Sequence, residues 1–164
     1  MSVKWLLSLY LKKKHSWFYE MPIKIPLFKG KSLGFERDMV TFSVRGKNLF
    51  LLSRGIVDTG CPFTILSESS LKRTRINYYN KETKYVVFIG TIPLQLKELG
   101  ECELTFKDEH GNPIKFKQNI HAGIPNIKGY LAEGLPSFIG KDFLNNHTLN
   151  IHNKKEGSFI LKED

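Results

Sequence analysis

No long stretch of this chain repeats its apolar residues at helical spacing. Short alternating or β-branched segments follow one another instead, each bounded by Gly, Pro, Asn or Asp. Met21–Leu27 alternates and carries Pro22 and Pro26, which suits an edge or peripheral strand because proline donates no ladder hydrogen bond. Met39–Val44 alternates, turns over Arg45-Gly46-Lys47-Asn48 and returns through Leu49–Leu52 as a hairpin. Tyr85–Ile89 is a further strand, with Gly90-Thr91-Ile92-Pro93 as a hairpin tip or bend. Gly100–Phe106 and Ile114–Ile120 are joined across Asp108-Glu109-His110-Gly111-Asn112-Pro113, a strong turn signal. Ser137–Gly140 ends another strand, and Leu149–His152 and Ser158–Leu161 close through a turn at Lys155-Glu156-Gly157. Helix is confined to a capped turn over Ser67–Leu71 and a turn or more over Lys141–Asn146, while Lys72–Lys84 reads as a loop or short helix. Strands this short and this evenly spaced predict an all-β fold, a small closed barrel or sandwich.

Within that pattern one segment stands apart, Leu51–Leu66. Ile56 and Val57 have the character of the end of a buried strand, which Asp58-Thr59-Gly60 breaks, and the run Phe63-Thr64-Ile65-Leu66 follows. A carboxylate delivered between two apolar runs has to be neutralised, hydrogen-bonded or used. The tripeptide alone is weak, since chance supplies a given one in a chain of this length on the order of a few per cent of the time. Its apolar frame is far more selective.

Composition limits the remaining classes. The 164 residues make one domain with room for a core, and 41% hydrophobic with 25% charged residues is the balance of a globular protein. Two cysteines provide no disulfide framework, so a reducing, cytoplasmic setting is expected. Trp5–Leu11 is too short to span a bilayer, which takes about 20 apolar residues, and no stable membrane insertion is expected. Lys12-Lys13-Lys14 beside Trp17-Phe18-Tyr19 is read as a terminal element packed on the domain with a solvated basic edge, rather than a lipid or nucleic-acid contact. The net charge of +9 leaves a nucleic-acid binder open as a class, but the basic residues are spread along the chain in no recognised motif, so no nucleic-acid partner is expected.

Two anchors in order carry a resemblance. Ile56-Val57-Asp58-Thr59-Gly60 and, near the end, Phe138-Ile139-Gly140-Lys141-Asp142-Phe143-Leu144 are similar to the two signature elements of the retropepsin-like aspartic proteases. Leu149–His152 and Phe159–Leu161 resemble that family's terminal strands. The resemblance covers roughly Val40 to Leu161. It implies a retropepsin-type barrel over 39–164, with 1–38 as an N-terminal extension or peripheral strands, a flap hairpin and a short helix near the C-terminus. It also implies an aspartic endopeptidase acting on peptide or unfolded protein. Such chemistry takes two carboxylates sharing one proton around a water: the ionised one accepts the water's proton as it attacks, and the protonated one polarises the peptide carbonyl. One D-T-G supplies only Asp58, so the second carboxylate would come from another copy in a homodimer. By the same resemblance Thr59 hydrogen-bonds across the dimer axis, and Gly60 turns the backbone beneath the substrate. The hairpin from Phe88 to Leu99, with Phe88, Ile89, Gly90, Thr91 and Ile92 toward the substrate, is the flap. Phe88, Ile89, Ile92 and Ile139 would form apolar subsites. No cofactor and no metal is implied.

Plainer roles compete at several positions. Asp58 in isolation would serve as a turn residue capping its own loop. The whole fold would also serve as a non-catalytic binding or dimerisation module. Cys61 is read as a small buried residue, with oxidation sensing as the alternative, and Asp142 as a structural residue binding backbone groups at the start of the last helix. Retropepsins usually place Arg where Lys141 stands, paired with an acid just after D-T-G; Pro62 and Phe63 occupy that stretch here. His110, His121, His147 and His152 show no metal-ligand spacing and are read as loop or strand-surface residues.

Overall fold

The computed structural model describes residues 22–126, 134–153 and 157–162. The N-terminal segments up to Met21, including Trp5–Leu11 and Trp17–Tyr19, lie outside the described residues, as does most of the expected turn at Lys155–Gly157. Among the described residues most of the chain is strand. In order these are β1 (Ile23–Pro26), β2 (Phe28–Ser32), β3 (Phe35–Gly46), β4 (Leu49–Val57), β5 (Ile65–Ser67), α1 (Glu68–Leu71), β6 (Thr83–Ile89), β7 (Ile92–Lys107), β8 (Pro113–Pro125), β9 (Ser137–Ile139), α2 (Lys141–Leu144), β10 (His147–Asn153) and β11 (Gly157–Lys162). No helix among them is long and apolar enough to cross a membrane.

Eight strands form one sheet in the order β2-β3-β4-β9-β5-β8-β7-β6, and β3 pairs again with β7 through Ser43↔Thr105, Val44↔Leu104 and Arg45↔Glu103. The pairings β3-β4-β9-β5-β8-β7 therefore return to β3 in a ring. β1, β11 and β10 make a separate three-stranded sheet, with β1 antiparallel to β11 from Ile23↔Lys162 to Pro26↔Phe159. β3 runs across residues 38 and 39, and β1 and β2 are edge strands of their two sheets.

Burial follows pairing. β4 alternates buried and exposed from Leu49 to Arg54, then is buried continuously over Gly55-Ile56-Val57. The change comes where β9 joins it in parallel, Gly55↔Ser137 to Val57↔Ile139. Inside the ring, Phe42, Phe106 and Phe143 are fully buried with Leu104, Ile120, Ile139 and Ile160, and the Phe106–Phe143 ring centroids lie 5.2 Å apart. A second cluster of Ile56, Cys61, Ile65, Ile92, Leu94, Leu96 and Phe138 packs beneath the hairpin β6–β7. Ser67 caps α1 by accepting from the Ser70 N–H, as the sequence predicts. Buried serines knit the ring internally: Ser137 Oγ meets Ser53 Oγ at 3.0 Å and accepts from the Ser67 N–H at 3.1 Å.

Candidate active site

Asp58 leaves the end of β4 as the sheet gives way to a loop. Its N–H still reaches the Ile139 carbonyl of β9 at 3.1 Å, so the strand pairing fixes the residue's backbone. Its own carbonyl accepts from the Cys61 N–H at 3.2 Å, closing a tight turn. Within that turn the Gly60 N–H donates to Asp58 Oδ1 at 2.8 Å, orienting the carboxylate. A Cβ on Gly60 would stand 3.1 Å from the same oxygen, so a side chain there would crowd the group it positions.

The second anchor holds this loop from behind. The Lys141 N–H donates to the Cys61 carbonyl at 2.8 Å and the Asp142 N–H to the Pro62 carbonyl at 3.2 Å. In return, Asp142 accepts from the Thr64 hydroxyl at 2.8 Å, the Thr64 N–H at 3.0 Å and the Phe143 N–H at 2.9 Å. Thr64 Oγ1, fully buried, also accepts from the Gly140 N–H at 3.3 Å. Only glycine fits at 140, because a Cβ would lie 2.2 Å from the Phe63 carbonyl oxygen. Asp142 is thus a structural acid, reaching further than the expected helix start. Thr64 was not singled out in the sequence, although its place six residues after Asp58 and inside an apolar run marks a buried hydroxyl in need of a partner.

A cleft of about 490 Å³ opens over the loop. Its floor is Ile56, Val57, Asp58, Gly60, Cys61, Pro62 and Phe138, its roof Val87, Phe88, Ile89 and Gly90, and a side wall comes from Ser32 to Arg37. Among the described residues Asp58 is the only carboxylate lining it. The roof is the tip of the hairpin β6–β7, where Ile89 pairs with Ile92 across Gly90-Thr91. Gly90 sits at φ +61°, the position at which a type II′ turn places glycine. Of the residues expected to face the substrate, Phe88, Ile89 and Gly90 line the cleft, whereas Ile92 turns into the cluster below and is buried. Ile139 lies fully inside the ring, and its neighbour Phe138 takes the place on the floor. Thr59 is exposed on the outside of the loop.

No family model and no curated protein sequence matches the chain. Solved structures do. A retropepsin-like aspartic protease from Rickettsia conorii aligns over 87% of this chain and 91% of its own with a TM-score of 0.51, at 14% identity. The chain has a retropepsin-like fold. Two further structures align more loosely: the EIAV protease in complex with the inhibitor HBY-793 (TM-score 0.39, 14% identity, 71% of this chain and 91% of that one), and the retroviral protease-like domain of Ddi1 from Leishmania major (0.37, 13%, 76% and 94%).

Within that retropepsin-like frame one of three further positions, His121, differs from expectation. His121, read as a surface residue, is buried on β8. Its ring lies 4.8 Å from that of Phe63, which stacks in turn on Tyr85 at 4.8 Å, so an aromatic contact ties the base of the hairpin β6–β7 to the loop after Asp58. Lys141 is exposed and, among the described residues, makes no ion pair, as the absence of an acid at Pro62 and Phe63 requires. Cys61 is buried with its thiol donating to the Phe63 carbonyl at 3.2 Å. Burial pushes its pKa up to about 11, with the nearby Asp58 and Asp142 charges adding to the rise. That thiol is a packing group rather than a nucleophile at neutral pH.

Proposed function

We propose that the chain is an aspartic endopeptidase whose working site forms when two copies bring their Asp58 carboxylates together. The observation that carries this reading is the Asp58 carboxylate, the one acid the described residues bring to the floor of a hairpin-roofed cleft, held by the Gly60 N–H and braced from β9 and α2. One carboxylate cannot both activate a water and polarise a carbonyl; two related by a two-fold axis can, with one proton between them. The ionised partner takes the proton of the attacking water, and the protonated one donates to the carbonyl oxygen as it becomes tetrahedral. Phe88, Ile89, Val87, Ile56 and Phe138 make the cleft walls apolar, which favours apolar side chains on either side of the scissile bond.

The test is a rate–pH profile on an unstructured protein substrate for wild type and Asp58→Asn. Wild type is expected to show two limbs with a maximum on the acidic side of neutral, because the doubly protonated and doubly ionised pairs are both inactive. Asp58→Asn is expected to lose roughly 10²–10⁴-fold in turnover while keeping its fold. Wild-type cleavage by the variant would remove Asp58 from the mechanism. Absence of cleavage by either protein between about pH 3 and about pH 8 would leave a non-catalytic module of the same fold.

A further inference from the structure

At the opposite end of β4 from Asp58, Arg45, Arg73 and Arg75 line one concavity of about 750 Å³ together with Asn48, Phe50 and Thr74. β4 separates it from the cleft by its own length, roughly 25–30 Å at about 3.3 Å per residue. Among the described residues no carboxylate lines it. Among the described residues none of the three guanidinium groups enters an ion pair. The acid opposite Arg45 in the β3–β7 register, Glu103, is held instead by Lys115 at 3.1 Å. Phe50 is two-thirds exposed at the rim, with the Arg45 guanidinium 5.5 Å from its ring centroid. Three like charges gathered without counter-ions raise the local potential, and the planar guanidinium fork matches a phosphate bidentately. An exposed aromatic next to such a cluster offers a face on which a base can stack.

We propose that this concavity binds single-stranded nucleic acid, with Arg45, Arg73 and Arg75 on successive phosphates and Phe50 under a base. An acidic peptide would satisfy the charges but would not call on the ring face of Phe50 that Arg45 leaves open, which is why nucleic acid is the favoured ligand. The site is independent of the cleft and of whether the cleft cleaves peptide.

The measurement is fluorescence anisotropy with a labelled oligothymidylate of about ten nucleotides, long enough for one such site. Three phosphate contacts at about −0.7 each give a salt slope near −2, so affinity should fall roughly 10–20-fold between about 50 and 200 mM salt. Arg73→Gln/Arg75→Gln should weaken binding at least about tenfold and flatten the slope by about 1.4, the share of two phosphates. Phe50→Ala should weaken it several-fold and leave the slope unchanged. Lys31→Gln/Lys107→Gln, which removes the same charge elsewhere, should change it less than about twofold. The proposal is overturned if wild type does not bind at the lower salt, or if the lysine pair matters as much as the arginine pair. It is also overturned if an oligoglutamate of equal length competes as well as unlabelled oligonucleotide.

Discussion

The imidazole of His121 is enclosed by Phe63 and Tyr85, and its Nδ1 has no hydrogen-bond partner among the described residues. Burial pushes its pKa below the usual histidine value; Asp142 and Glu98 oppose that shift, and Lys84 adds to it. The unfolded chain therefore binds this proton more readily than the folded one. Stability is unaffected well above about pH 6.5, falls as pH drops through that value, and reaches its full loss only below the folded pKa. In urea unfolding, His121→Gln should narrow its stability deficit relative to wild type, or overtake it, on going from about pH 8 to about pH 5. A difference between the two proteins that is the same at both pH values would show that His121 is not the group responsible. The residue also braces the segment behind Asp58, its backbone N–H donating to the Thr64 carbonyl at 3.2 Å.

Among the elements, the hairpin β2–β3 carries the one apolar side chain of the cleft that stands on a strained backbone. Ser32 pairs with Phe35, and the two connecting residues both have positive φ, Leu33 at 51° and Gly34 at 83°. Glycine accepts that region freely; leucine does so at a cost of about 1–2 kcal/mol. Leu33→Asn should recover up to about 1 kcal/mol in urea unfolding with an unchanged slope, since asparagine tolerates the left-handed region. The same change removes an apolar wall from the cleft, so KM for an apolar peptide should rise several-fold with little change in kcat. A variant no more stable than wild type would contradict the strain. This hairpin was not legible in the sequence, because Phe28-Lys29-Gly30-Lys31-Ser32 neither alternates nor carries β-branched residues. β5 was missed for a related reason: its partners, β8 in parallel and β9, are far away in the chain and leave no local trace. The hairpins β3–β4, β7–β8 and β10–β11 were legible because their turns are written between their arms. The loop of Asp58 and the segment Phe138–Leu144 were each legible too. What the sequence could not display was their mutual grip, which depends on Thr64 meeting Asp142 across 78 residues.

For the molecule as a whole, charge and association pull against each other. Each chain carries +9, so two copies sharing a site must approach against their own repulsion. Salt screens that repulsion within about 10 Å at 0.1 M, and the proposed homodimer should therefore tighten as salt rises. Sedimentation across a salt series should show the mass moving toward two chains at higher ionic strength; a dimer that dissociates on adding salt would mean that attractive ion pairs dominate the interface. The eight-stranded sheet has its own unfinished business, since among the described residues its order leaves two edges, β2 and β6. Natural sheets blunt such edges with lysines or cover them, because an open row of N–H and C=O groups recruits any extended strand. Lys29 and Lys31 guard β2. β6 has Lys84 near its start, but beyond it Tyr85, Val86 and Phe88 stand exposed along the strand that roofs the cleft. A strand left open enough to meet a peptide is open to every extended chain, including a partly unfolded copy of this one. The β6 edge is thus where concentrated protein would begin to aggregate, and under the proposed function the same backbone groups would serve recognition and self-assembly alike.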